Sequence, residues 1–385
     1  MPPQNYAAYT VDKNSKRLEV RLAPYTAPGP DELVIRNKAV AINPVDIGLQ
    51  ISGSLIFPWV KYPLIIGNDV SGVVEEVGSG GRVNKLFKPG DRVVGHAVGT
   101  DKRANKSSEG AFQKYTVLRC DLTSKIPGTL SHEQARILPL ALSTAACGLF
   151  MKDYLAMPIP KPRPEGSGTA SVEPRGTVVI VWGGSTSVGS NAIQLARAAG
   201  YEVLATSSPK NFQYLRSIGA SMVFDYKHVD AVPDIIGALK AKTCAGAVAT
   251  GVGSLEACID IVAAVPGRRF VSQASNSMDM SALPTSSVGL IWTMLKLVWW
   301  NISVCFRAKF RRVSIKVIWS SDTMSNEVGP AIYNDFLPDA LAKGRYQAKP
   351  DAILAGSGLE HLQNAIDLLK RASLLPNCCF SSRRC

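Results

Sequence analysis

GTVVIVWGGSTSVGSNAIQLARAAG, residues 176–200, reads as a buried strand, a glycine-rich turn and a helix. Thr177 to Trp182 is an unbroken β-branched and apolar run, the pattern of a strand covered on both faces. Gly183, Gly184 and Gly189 follow, with Ser185, Thr186 and Ser187 among them. Val188, Ala192, Leu195, Ala196 and Ala199 then fall on one helical face, and Gly200 supplies the stop. Glycines at such a turn let the backbone approach a pyrophosphate. Its charge then sits at the helix N-terminus, where unpaired N–H groups and the dipole favour an anion. The segment therefore predicts a nicotinamide dinucleotide site at Gly183, Gly184, Ser185, Thr186, Ser187, Val188 and Gly189.

The spacing GGSTSVG is not the usual G-x-G-x-x-G, and turns of this kind also occur without a ligand. The following segments narrow the choice. Tyr201–Thr206 and Met222–Asp225 read as strands, Phe212–Ile218 as a helix, and Thr243–Ala249 and Arg269–Ser272 as two more strands. Strands alternating with helices predict an α/β fold with a doubly wound parallel sheet. After the second strand the chain reads Thr206-Ser207-Ser208-Pro209-Lys210-Asn211, with no acid to take the ribose hydroxyl of NAD. Small polar residues and Lys210 suit the 2′-phosphate, so the expected cofactor is NADPH.

The chain has 385 residues, 46% of them hydrophobic, enough for two ordinary domains. Its net charge is +13, but no recognition-helix, RNA-binding or zinc-finger pattern supports nucleic acid as a partner. Eight cysteines lie without framework spacing, and the opening MPPQNYAAYTVDKNSKR lacks the apolar core of a secretory leader. A reduced, cytoplasmic protein with a small-molecule substrate is the expectation.

Leu33–Ala41, Ser71–Val77, Arg92–Val98 and Phe112–Leu118 are short β-type runs broken by glycine and proline. They predict an irregular, partly barrel-like first domain over 1–156, closed by a mainly helical Ser131–Met151. A Pro-rich loop over 157–175 precedes a dinucleotide domain over 176–320. The tail, 321–385, with helices at Pro330–Lys343 and Leu359–Arg371, is expected to return to the first domain.

AINPVDIGLQ (41–50), PLIIGNDVSGVVEEVGSG (63–80), KPGDRVVGH (88–96) and LPLALSTAACGLF (138–150) resemble the medium-chain dehydrogenase/reductase superfamily. NEVGPAIYNDFLPDALAKGRY (326–346) extends the likeness. The chain is most similar to the fungal zinc-free branch, whose members are often labelled zinc-binding dehydrogenase-like. That branch holds quinone-reductase-like proteins and enoyl reductases acting in trans with polyketide synthases in secondary metabolism. The resemblance implies a GroES-like β domain followed by a Rossmann domain, and a homodimer as a common assembly. Zinc members carry a cysteine where this chain has Asn43 or Pro44, and His-Glu where it has Asn68-Asp69. No metal is expected, because zinc needs three good ligands; Asp46, Asp69 and His96 read as structural residues.

The resemblance further implies that Asn43 and Thr144 lie near the nicotinamide, Ser187 and Val188 near the pyrophosphate, and Ser207, Lys210 and Tyr226 around the adenosine phosphate. Hydride addition to an activated C=C of an enoyl thioester, enone or quinone follows, since a delocalised enolate needs no Lewis acid. Alcohol or aldehyde dehydrogenation, and a non-catalytic NADPH-binding homologue, are the alternative readings. Lys61, Tyr62 and His96 are candidate proton donors, with water as another source, and Phe57 and Trp59 are expected to wall the substrate cleft.

Two segments depart from the family pattern. GLIWTMLKLVWWNISVCF (289–306), within an insertion over 288–313, is almost wholly apolar and is followed by basic residues. Lys296 and Asn301 interrupt it, so no membrane span is expected. The preferred reading is an exposed or poorly packed insertion with translated intron sequence as its source, and the second is a peripheral membrane-binding helix. The ending ASLLPNCCFSSRRC (372–385) lacks the alternation of the final strand that relatives carry there.

Overall fold

A computed structural model describes residues 2–13, 15–161, 176–274 and 287–374. Most of the 157–175 loop and residues 375–385 lie outside the described residues; Met157, which opens the loop, is buried.

In the first domain β1 (Asn5–Thr10) pairs antiparallel with β2 (Glu19–Ala23). β3 (Glu32–Ala41) leads into α1 (Pro44–Ile56), and β4 (Leu64–Ile65) adds to the other side of β1. β5 (Asp69–Val77), α2 (Gly81–Leu86), β6 (Arg92–His96), β7 (Tyr115–Arg119) and β8 (Thr123–Lys125) follow. The larger sheet has the order β7-β3-β5-β6-β8 and is antiparallel throughout. Register shifts at Val34/Ile35 and Asn37/Ala39 mark irregularities that help it curl. Its inner face is apolar, with Leu33, Ile35, Val70, Val74, Val93, Phe112 and Leu118 in one core.

α3 (His132–Ala135) and α4 (Pro139–Phe150) follow. All of α4 except Leu140 is buried, as its run of apolar and small residues on every side requires. It packs against α5 of the second domain, and Ser272 Oγ donates to the Gly148 carbonyl at 2.8 Å.

The second domain runs β9 (Thr177–Trp182), α5 (Ser187–Ala198), β10 (Glu202–Ser207), α6 (Phe212–Ser217), β11 (Met222–Asp225) and α7 (Ala231–Leu239). β12 (Thr243–Ala249), α8 (Ser254–Ala264), β13 (Phe270–Gln273), α9 (Ser287–Arg311) and β14 (Ser314–Val317) complete it. All pairings are parallel in the order β11-β10-β9-β12-β13-β14, the order of a dinucleotide-binding sheet whose direction of winding reverses beside β9. The apolar stretch expected to be an insertion forms most of α9. It is not loosely packed along its whole length, because Trp300, Val304 and Ala308 seat one face in the core under α8.

The tail spans both domains. α10 (Val328–Pro330), a π-helical stretch at Ala331–Phe336 and α11 (Leu337–Ala342) place Tyr333 and Leu337 in the core shared with α4 and α5. Gln347 N then donates to Gln194 Oε1 of α5 at 2.8 Å. α12 (Leu362–Leu374) buries Leu362 and Ile366 in the first domain, where Gln363 Oε1 accepts from Leu18 N and Gln50 Nε2.

Candidate active site

The turn after β9 is built around contacts too close for a side chain. Gly183 has φ +79°, and a Cβ there would lie 2.4 Å from the Thr250 carbonyl oxygen at the end of β12. A Cβ on Gly189 would lie 2.3 Å from the Gly183 carbonyl oxygen. The helix thereby starts directly against the strand. Thr186 caps α5, with its hydroxyl accepting from Gly189 N at 3.0 Å and donating to Gly183 O at 2.8 Å. Ser187 and Val188 begin the helix itself, where first-turn N–H groups face outward to an anion. Thr206, on β10, ties the turn from the other side, accepting from Gly183 N at its hydroxyl and from Gly184 N at its carbonyl.

Thr206 and Thr250 escaped the sequence reading. Thr250 Oγ1 is buried beside the turn with no hydrogen-bond partner among the described residues. An orphaned hydroxyl next to a glycine cradle at the sheet's switch point fits a bound dinucleotide. No single-sequence signal marks it, because its place depends on the β9–β12 pairing.

Ser207 and Asp225 are parallel partners, which brings the residues after β10 and after β11 together. Ser207 is buried and donates to the Ser208 carbonyl at 3.0 Å. Lys210 stands exposed in the turn Pro209–Asn211, and Tyr226 is 38% exposed with the Lys227 ammonium 5.9 Å from its ring centre. Asp225, which ends β11, accepts from Lys227 N in its own loop, and β10 itself ends in Ser207.

Asn43 and Ser187 face a common cleft of about 1030 Å³ that is lined mostly by the first domain and by the tail at Pro350–Leu362. The Asn43 side chain is held by Asp69, whose Oδ2 accepts from Nδ2 at 2.9 Å. Asp69 Oδ1 accepts from Leu140 N at 2.6 Å, locking the start of α4 to β5. Asp46 closes a capping box, accepting from Asn43 N at 2.7 Å. Burial pushes the Asp46 carboxyl up to about 8, with Asp69 adding to the rise. Burial likewise raises Asp69 to about 7, against hydrogen bonds from Asn43 and Leu140 and the charge of Arg136. Thr144 is buried on α4 and donates to the Leu140 carbonyl at 2.7 Å.

The residues that the resemblance sets at zinc-ligand positions are engaged elsewhere. Asn68 Nδ2 donates to the Ala97 carbonyl at 2.9 Å, and Asp69 is committed to Asn43 and Leu140. Among the described residues no three His, Cys, Asp or Glu side chains converge as a metal site.

Lys61 is exposed, while Tyr62 packs partly buried on the first-domain core, its hydroxyl pKa raised by burial. His96 is fully buried, with Nδ1 3.0 Å from Ser143 Oγ, which lies 2.8 Å from the Tyr333 hydroxyl. Burial lowers its pKa to about 4, leaving a neutral imidazole near pH 7. None of these three lines the cleft shared by Asn43 and Ser187.

Phe57 is 5% exposed and packs edge-on against Trp59 at 5.5 Å and tilted against Trp319 at 5.7 Å. Trp59 Nε1 donates to the Thr100 carbonyl and Trp319 Nε1 to Asp101, and neither Phe57 nor Trp59 lines the cleft shared by Asn43 and Ser187. Burial opposes charge on Asp101, yet hydrogen bonds from Arg103, Ser321 and Trp319 hold its carboxyl well below the usual range.

Residues 29–128 match the alcohol dehydrogenase GroES-like domain family. Over 369 residues the chain is 45% identical to the dehydrogenase pigH of Monascus ruber, covering 96% of this chain and 97% of that one. It is 32% identical over 369 residues to the trans-enoyl reductase himH of Aspergillus japonicus, covering 95% and 94%. Among solved structures, the Escherichia coli quinone oxidoreductase complexed with NADPH matches with a TM-score of 0.60 over 96% of this chain and 97% of that one. At 18% identity that match speaks for the fold alone. A GroES-like domain, a six-stranded dinucleotide sheet and relatives along nearly the whole length identify an oxidoreductase; the chain belongs to the medium-chain dehydrogenase/reductase superfamily.

Proposed function

We propose that this chain is an NADPH-dependent, zinc-independent reductase that adds hydride to the activated C=C of an enoyl thioester, enone or quinone. The observation that carries the reading is that Asn43 and Asn68 are spent on Asp69 and the Ala97 carbonyl, while the resemblance sets Asn43 or Pro44, and Asn68, where zinc relatives hold their ligands. Bound dinucleotide would supply the hydride. The protein's part is positioning: α5 takes the diphosphate at Ser187 and Val188, Ser207 and Lys210 take the 2′-phosphate, and Tyr226 flanks the adenosine. Asn43 and Thr144 orient the reacting ring, and water protonates the enolate. The name of the Aspergillus japonicus relative, a trans-enoyl reductase, supports an enoyl substrate; its delivery by a polyketide synthase in trans is what the family resemblance implies.

NADPH consumption across enones, quinones and enoyl thioesters tests this, with metal analysis of the same preparation. Turnover of at least one such class with far less than one zinc per chain is expected. Stoichiometric zinc, or oxidation only of alcohols, would overturn the reading. Lys210→Ala is expected to raise KM for NADPH by about 10- to 100-fold, the worth of one charge-assisted contact, and to leave KM for NADH unchanged. Equal changes for both cofactors would remove Lys210 from the phosphate site.

A further inference from the structure

α9 is apolar on the face it turns away from the protein. Its inner side is anchored: Trp300 Nε1 donates to Glu256 Oε1 at 2.6 Å, Val304 and Ala308 are 3% exposed, and Arg307 and Arg311 both pair with Asp260. On the opposite side Trp292, Leu295, Trp299, Ile302, Phe306 and Phe310 recur at helical spacing and are 45–90% exposed. At the rise of an α-helix the stripe extends about 27 Å. Single exposed apolar side chains are ordinary, but a continuous stripe of six, four of them aromatic, is a binding surface.

Its charge says what it binds. From Ser287 to Ser321 the sequence contains no Asp or Glu. Lys296, Lys309 and Arg312 are exposed and form no ion pair among the described residues. Among the described residues no helix is long and apolar enough to cross a membrane. We propose that α9 lies flat on an anionic lipid surface, with its aromatic stripe at the headgroup–acyl boundary and these cations on lipid phosphates. A second copy of the chain is the poorer occupant, because any pairing of this face with itself sets like charges together.

Co-sedimentation of the full chain with phosphatidylcholine vesicles, with and without phosphatidylserine, tests the proposal. Binding is expected to require phosphatidylserine and to weaken as salt rises. Trp299→Glu/Phe306→Glu is expected to lower binding by at least about tenfold, since both rings would leave the lipid. Lys296→Glu/Lys309→Glu is expected to lower binding to the anionic vesicles alone. Unchanged thermal melting and NADPH affinity show that each variant is folded. Wild-type protein left in the supernatant, or a Glu double variant that binds as wild type, would overturn the proposal. So would light scattering in which Trp299→Glu/Phe306→Glu turns a dimer into a monomer without lipid. A messenger spliced across 288–313 would remove the helix from the native chain, and the proposal with it.

Discussion

Gly189→Ala is expected to raise the Kd for NADPH by at least about 100-fold and to lower the melting temperature. The added Cβ would stand 2.3 Å from the Gly183 carbonyl oxygen, 2.7 Å from the Gly184 Cα and 2.9 Å from the Gly183 carbonyl carbon. All three are backbone atoms, so no rotamer change relieves the clash, and α5 must move away from β9 by about 1 Å to restore van der Waals distance. That movement opens the Thr186 cap and the bond from Ser190 Oγ to the Gly184 carbonyl. It also displaces the Ser187 and Val188 N–H groups, and an anion site assembled from backbone dipoles tolerates little displacement. Two other glycines set the scale. At Gly184 the nearest atoms are Leu215 Cδ1 at 2.9 Å, which can swing away, and Ala205 Cβ and Ile193 Cδ1 at 3.1 Å, so Gly184→Ala is expected to act more weakly. At Gly237 inside α7 a Cβ meets nothing within 4 Å, and alanine there is expected to stabilise by about 0.5–1 kcal/mol. Fluorescence titration with NADPH and thermal melts check all three. Wild-type affinity in Gly189→Ala would remove the turn from the cofactor site.

The part of the site that could be read from the chain is the part built from neighbours in sequence. Thr177–Trp182 is β9 residue for residue, and α5 begins one position before Val188, because a buried strand, three glycines and an apolar helical face leave little freedom. α1 was legible but overlooked. Asn43 at the N-cap, Pro44 at N1 and Asp46 at N3 form a capping box written in four residues. β1 and β2 are short, and β2 is almost wholly exposed, so neither shows a clean alternation. The electrostatics of the site could not be read at all. Asp69 reaches Leu140 across 71 positions, and Ser143 meets Tyr333 across 190, distances set by packing of the two domains and the returning tail.

Asp69→Ala is expected to cost about 3–5 kcal/mol and to cut activity more than Kd for NADPH. It would leave the Asn43 amide and the Leu140 N–H as two buried donors without an acceptor, and an unpaired buried group costs more than a hydrogen bond contributes. Burial raises both Asp46 and Asp69, and single Asn substitutions separate their pH dependence. The folded Asp46 pKa of about 8 lies above the unfolded value of 3.8, so between them the folded chain holds a proton that the unfolded chain has released. That stability is fully present below the unfolded value and is lost as pH rises through 8. His96 works in the opposite sense, since its pKa falls from 6.5 to about 4, and its contribution is complete above 6.5. The interval from pH 7 to 8 therefore isolates the carboxyls. Urea unfolding of the wild type is expected to shift to lower midpoints across that interval. Asp46→Asn keeps an oxygen for Asn43 N but carries no titrating proton, and it is expected to flatten the shift by up to about 1 kcal/mol per pH unit. If the slope survives in Asp46→Asn and disappears in Asp69→Asn, the proton resides on Asp69. The carboxylate would then be Asp46, and the orientation of Asn43 would depend on a neutral acid.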